Sequence, residues 1–199
     1  MKTEHHPHYF SHWARERFEE IESTLKAIES HAGALHADRK REAEKAVAEI
    51  RAQGEAFQEA MRKQQHLGET AWATAKAELA PAWAAFEATV QHYLAETGHD
   101  TRQQGAAFAA RAEAQHKAWK EIIDSLHANS AAFAAARKQD FDKALGHLKE
   151  DAAAAKSKLE KQQKAGEQSW VALRKALEES RSAFDTASQK AFEAFKKAG

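Results

Sequence analysis

Four histidines, His5, His6, His8 and His12, crowd the start of the chain. Imidazoles so closely spaced can bind zinc, nickel or copper, and His8 and His12 would share a helical face. Beyond Glu4 and Glu16 no acidic ligand is near, and the chain has no cysteine to complete a compact site. These four are the metal-ligand candidates of the sequence; their ordinary reading is a flexible, solvated terminus with no metal and no cofactor. Tyr9, Phe10 and Trp13 follow directly and could anchor a membrane interface or a partner, or simply open the first packed helix. Arg39-Lys40-Arg41 and Lys196-Lys197 could meet phosphate or anionic lipid, but Asp38 and Glu42 flank the first run, and a solvated face explains both. The abundant carboxylates follow the i,i+4 charge patterning of helices rather than a pocket. No phosphate-binding loop, dinucleotide fingerprint, Gly-x-Ser-x-Gly or His-Glu-x-x-His is present. The sequence predicts no catalytic residue and no enzyme.

The elements that would position any of these residues are helices. Of 199 residues 47 are alanine, and Glu, Lys, Gln, Arg and Leu fill most other positions; these lose least on entering a helix. Three valines and five isoleucines are too few for ordinary β-structure. Without cysteine there is no disulfide framework, zinc ribbon, iron–sulfur site or thiol nucleophile. Thirty basic and 30 acidic side chains cancel, which removes the global basic field of a nucleic-acid binder. Nothing approaches the roughly 18 unbroken apolar residues of a transmembrane span, and the first residues lack the apolar core of a secretion signal. The expectation is a soluble, cytoplasmic, all-α protein.

An internal duplication at an offset of 98 residues organises the chain. Lys63-Gln-Gln-His-Leu-Gly-Glu-Thr-Ala-Trp72 returns as Lys161-Gln-Gln-Lys-Ala-Gly-Glu-Gln-Ser-Trp170, and Ala85-Phe86-Glu87 returns as Ala183-Phe184-Asp185. Within it, large apolar residues form triplets spaced by seven: Ile21, Ile28, Leu35; Trp72, Leu79, Phe86; Trp119, Leu126, Phe133; Trp170, Leu177, Phe184. Such spacing marks helices packed along a seam, and repeats that cannot bury their own stripe stack on a neighbour. The midpoint turn Thr97-Gly98-His99-Asp100, followed by a capping box at Thr101–Gln104, predicts a fold-back. Opposed residues would then have numbers adding to about 198, pairing Leu79 with Trp119, Val90 with Phe108, Phe57 with Phe141 and Ile21 with Leu177. Residues 1–98 carry 12 basic and 16 acidic side chains, net −4, and residues 99–199 carry 18 and 14, net +4, so the halves attract. The architecture predicted is a long antiparallel, coiled-coil-like helical hairpin. It has a flexible 1–8, a first arm 9–97, a turn 98–100 and a second arm 101–197. Breaks near Gly68 and Gly166 would give a four-helix bundle instead, and Pro81 should kink a helix or begin one.

A two-helix rod rich in alanine has a thin core, so the twelve triplet residues are expected to serve packing and self-association, and the protein to be a homo-oligomer. The alternation of alanine-rich stripes with Lys and Glu resembles exchangeable apolipoproteins, the phasins of polymer granules and the outer coat protein of gas vesicles. For the last, Trp119-Lys-Glu-Ile followed by Ser130-Ala-Ala-Phe133 looks like its aromatic-Lys-Glu-Leu…Gln-Phe repeat, over a short part of each repeat. This resemblance implies an amphipathic coat on a lipid, polymer-granule or gas-vesicle surface, and carries over no residue roles. The functional expectation is therefore a structural, scaffolding protein associating through its aromatic-apolar seam, with an amphipathic coat protein as the alternative.

Overall fold

Alanine-rich, charge-laced sequence becomes helix wherever nothing interrupts it, so the interruptions decide the architecture. The computed structural model describes residues 9–32, 35, 37–64, 72–96, 101–165 and 169–199. Among these are six α-helices: α1 (Tyr9–Ala32), α2 (Ala37–Gln64), α3 (Trp72–Glu96), α4 (Thr101–Asn129), α5 (Ala135–Lys164) and α6 (Trp170–Ala198). The chain is all-α. α5 begins 98 residues after α2, and α6 begins 98 residues after α3. Gly68, Gly166 and the 98–100 turn lie outside the described residues, as do His5, His6 and His8 and the side chain of Trp72. The helices on either side have these bounds: α2 ends at Gln64 and α3 begins at Trp72, while α5 ends at Lys164 and α6 begins at Trp170. Ser169 caps α6, its Oγ accepting from the Ala172 amide at 3.4 Å. Pro81 neither ends nor starts a helix. It lies inside α3 on the solvent side, where water can serve the carbonyl its missing N–H leaves free.

Two further breaks split each arm into three helices rather than two. Between α1 and α2, the Leu35 amide closes back on the Ala32 carbonyl at 3.3 Å. Between α4 and α5 a single 3-10 turn, Ser130–Ala132, intervenes. There Ser130 Oγ donates to the His127 carbonyl at 2.8 Å, an acceptor that the helix end would leave unpaired, and Asn129 Nδ2 donates to the Ser125 carbonyl at 2.8 Å. Phe133 then turns extended, with φ −72° and ψ 142°. Leu35 and Phe133, the third members of two seven-spaced triplets, thus sit in connections and not on a continuing helical face.

The order of the side-chain contacts fixes the directions of the helices. Arg15 meets Glu121 at 3.3 Å and Lys117 meets Glu19 at 3.1 Å, so α1 and α4 run antiparallel. α3 meets α4 through Tyr93 on Gln103 and Arg111 on Glu87, residues whose numbers add to 196 and 198. α1 meets α6 through Arg17 on Asp185 and Arg181 on Glu20, adding to 202 and 201. At both places the fold-back register lies within about one helical turn. It fails between α1 and α4, whose pairs add to 136, and for α2 and α5, which instead pack as flanking helices, α2 on α1 and α3, α5 on α4 and α6. Phe141 of α5 accordingly finds Phe133 and Phe195, with ring centroids 5.5 and 5.6 Å away, rather than the expected Phe57. The halves meet chiefly through α1 on α4, with side chains of α3 and α6 reaching the same region.

Of the twelve triplet residues, Ile21, Ile28, Leu79, Phe86, Trp119, Leu126, Trp170, Leu177 and Phe184 are buried within this one chain, and Leu35 and Phe133 are partly buried against the same core. Among the described residues Val171 is the one large apolar side chain left exposed. Two helical glycines differ in their surroundings. A methyl at Gly54 would stand 3.2 Å from Ile21 Cγ2, whereas Gly146 has nothing within 4 Å. Gly146→Ala should therefore raise stability by about 0.5–1 kcal/mol through helix propensity, and Gly54→Ala should gain less. Urea denaturation of the two variants checks this.

Candidate functional site: a buried ionic cluster

Several positions on the buried stripes of the described helices are not apolar. On α1, Arg17 and Glu20 fall one turn apart between Trp13 and Thr24; on α4, Arg111 and Gln115 fall between Phe108 and Trp119. Packing four helices together brings these residues to one place with Glu16, Glu87, Arg181 and Asp185. Arg111 and Glu20 are fully buried, at 0% side-chain exposure each. Arg111 donates from Nε to Glu20 at 2.8 Å and turns its other two nitrogens onto both oxygens of Glu87. Arg181 grips Glu20 with Nε and Nη2, both at 2.9 Å, and Gln115 adds a donor to Glu20 at 2.8 Å while also bonding the Leu177 carbonyl. Arg17 holds Asp185 in a two-point contact at 3.1 and 2.8 Å and donates to Glu16 at 2.9 Å. Trp83 roofs the group, with Arg181, Arg111 and Arg17 at 4.4, 5.7 and 5.9 Å from its ring centre.

Glu16 and Glu20 share this site but titrate oppositely. Burial, then the neighbouring charge of Glu20, pushes the Glu16 carboxyl well above its usual range. Burial acts on Glu20 in the same direction, but the Arg181 and Arg111 guanidiniums outweigh it and hold that carboxyl far below the usual range. A hydrogen bond between the two carboxyls, one turn apart, adds to both shifts, raising Glu16 and lowering Glu20.

Nearly every pair in it crosses from residues 9–96 to residues 101–198; Arg17 with Glu16 is the local exception. The contacts are also reciprocal. The first helix of each half sends an arginine to the third helix of the other: Arg17 to Asp185, and Arg111 to Glu87. The two carboxylates are themselves 98 residues apart, each beside a buried phenylalanine.

Of the histidine candidates, only His12 is described. It lies half-buried against Phe192 of α6, ring centroids 5.8 Å apart, and burial, with help from Arg15, lowers its pKa from 6.5 to about 4. Among the described residues no group of three or more His, Cys, Asp or Glu converges as a metal site would. Because the unfolded chain takes a proton at His12 below pH 6.5 and the folded chain resists until about 4, stability is full above pH 6.5 and falls as the pH drops between those values. The loss should reach about 3 kcal/mol by pH 4, and His12→Leu should abolish that part of the pH dependence in denaturation curves taken at pH 7, 5 and 4.

An open groove of about 440 Å³ between α4 and α5 has an alanine and leucine floor and a rim of Glu113, His116, Lys156 and Glu160. One repeat earlier, Phe18 and Met61 occupy the positions of His116 and Leu159 and pack against the core. No described helix is long and apolar enough to cross a membrane. The cluster is the component that sequence reasoning missed. Its signals were polar residues at stripe positions, and a carboxylate that the duplication repeats beside Phe86 and Phe184. No family model, no curated protein and no solved structure matches the chain.

Proposed function

We propose that this is a non-enzymatic structural protein that self-associates through its aromatic-apolar seam, acting as a homo-oligomer in the cytoplasm. The observation that carries the reading is the interface between residues 9–96 and 101–198. Each half leaves stripe residues and charged side chains that only an opposing half covers, Glu20 and Arg111 above all. A half without such a partner would expose ions and large apolar side chains together, so it is built to adhere. Nothing in the cluster is arranged around an open space in which a substrate could sit; its arginines are fully engaged with carboxylates of the same chain. Sedimentation velocity and light scattering over a wide concentration range in plain buffer test the proposal. A discrete, strongly helical oligomer is the expected result; a monomer at every concentration would overturn it.

A second reading, the amphipathic coat, is favoured by α6. Its buried face runs Leu173, Leu177, Phe184, Phe192 and Phe195 along the whole helix, with Lys and Glu on the other side. A chain of this kind stores the stripe in water and lays it on an apolar surface when opened. Adding anionic vesicles or oil droplets separates the two: a coat protein should change its tryptophan emission on the surface, whereas a scaffold should oligomerise without it.

A further inference from the structure

We infer that two copies of this chain associate by exchanging halves, α1–α3 of each closing on α4–α6 of the other; this deepens the reading that the protein self-associates and rests on it. The chain crosses from one half to the other once, between Glu96 and Thr101. Every cross-half contact is therefore the same whether the two halves come from one chain or from two. The contact set is extensive: Arg17 on Asp185, Arg111 on Glu20 and Glu87, Arg181 on Glu20, Lys117 on Glu19 and Arg15 on Glu121. Its reciprocity, with Glu87 and Asp185 one repeat apart, gives each half an equivalent way of receiving an arginine from a partner.

Charge selects which halves pair. Residues 1–98 are net −4 and residues 99–199 net +4, so two first halves repel, two second halves repel, and a first half attracts a second. Part of the buried cluster follows the same rule at close range, since Glu20 and Glu87 come from one half and Arg111 and Arg181 from the other, while the Arg17–Asp185 pair runs the opposite way. An opened chain must cover these ions again. Its own second half competes with that of a neighbour on effective concentration alone, so exchange wins as the protein concentration rises.

The chain has no cysteine, so introduced thiols report unambiguously. Arg15 and Glu121 face each other across α1 and α4 at 3.3 Å and are 57% and 29% exposed, so either can be replaced without opening the core. Arg15→Cys and Glu121→Cys single variants are mixed, unfolded together in urea, refolded at high concentration and treated with a short bismaleimide. The expected product is a covalent dimer containing one copy of each variant, identified by mass. The double variant, cross-linked within single chains at low concentration, should stay monomeric where the wild type associates. Oligomers that give no mixed covalent dimer, or a locked double variant that associates undiminished, would overturn half exchange while leaving self-association standing. A wild type that never associates would overturn both.

Discussion

Arg111→Ala is expected to lower the stability of the protein by about 3–5 kcal/mol, the cost of stranding buried charge. Arg111 is fully enclosed and serves Glu20 and Glu87 at once. Its removal leaves Glu20 with Arg181 and Gln115, and Glu87 with only a longer 3.5 Å contact to Arg181. The deficit should appear as a fall in the urea midpoint without a change in slope. The cluster as a whole is a different matter. Desolvating several ions offsets much of their attraction, so replacing Glu20, Glu87, Arg111 and Arg181 together with Met, Leu, Leu and Met should restore most of the stability lost by the single variant. If this fourfold variant is as unstable as Arg111→Ala, the cluster contributes net stability. If it is as stable as wild type but associates indiscriminately, the ions serve the choice of partner half.

The second large effect concerns the aromatic contact between α4 and α6. Trp119 stands edge-on to Phe184, with ring centroids 5.2 Å apart and planes at 86°. Both side chains are buried, with exposures of 2% and 1%. Trp119→Ala and Phe184→Ala should each cost about 3–5 kcal/mol, since each removes a large ring from a packed site that cannot fully collapse. The double variant should fall short of the sum by about 0.5–1.5 kcal/mol, the share belonging to the ring–ring contact and to the cavity they hold in common. Additive losses in the double-mutant cycle would count against that contact. The fold-back register had assigned Trp119 to Leu79 of α3; the ring partner is instead on α6, in the same half as Trp119.

That difference shows where reading the sequence stops. Composition dictates helix, because alanine and the long straight-chain residues lose least entropy on forming one, and scarce valine and isoleucine leave no material for sheet. The heptad-spaced stripe identifies which faces are buried. Side chains of α3 and α4 meet near the predicted register, and those of α1 and α6 likewise. The unmarked breaks at Leu35 and Phe133 are what the spacing concealed, since a hydrophobic residue seven positions on looks the same whether the helix continues or has just ended. Those breaks swing α2 and α5 out of the register, so Phe141 meets Phe133 and Phe195.

Helical periodicity, charge asymmetry and the duplication are local or additive properties, and the sequence by itself determined them. The ionic cluster is neither. Glu20 becomes a buried, strongly acidic carboxylate only when Arg111 of α4 and Arg181 of α6 reach it together, and the Glu16 carboxyl is pushed up because the same closure removes water. Whether a charged residue on a stripe is solvated or enclosed depends on what three other helices place opposite it. Only the tertiary structure decided that, because the energy of a charge depends on its surroundings and a stripe specifies a face without naming its partner.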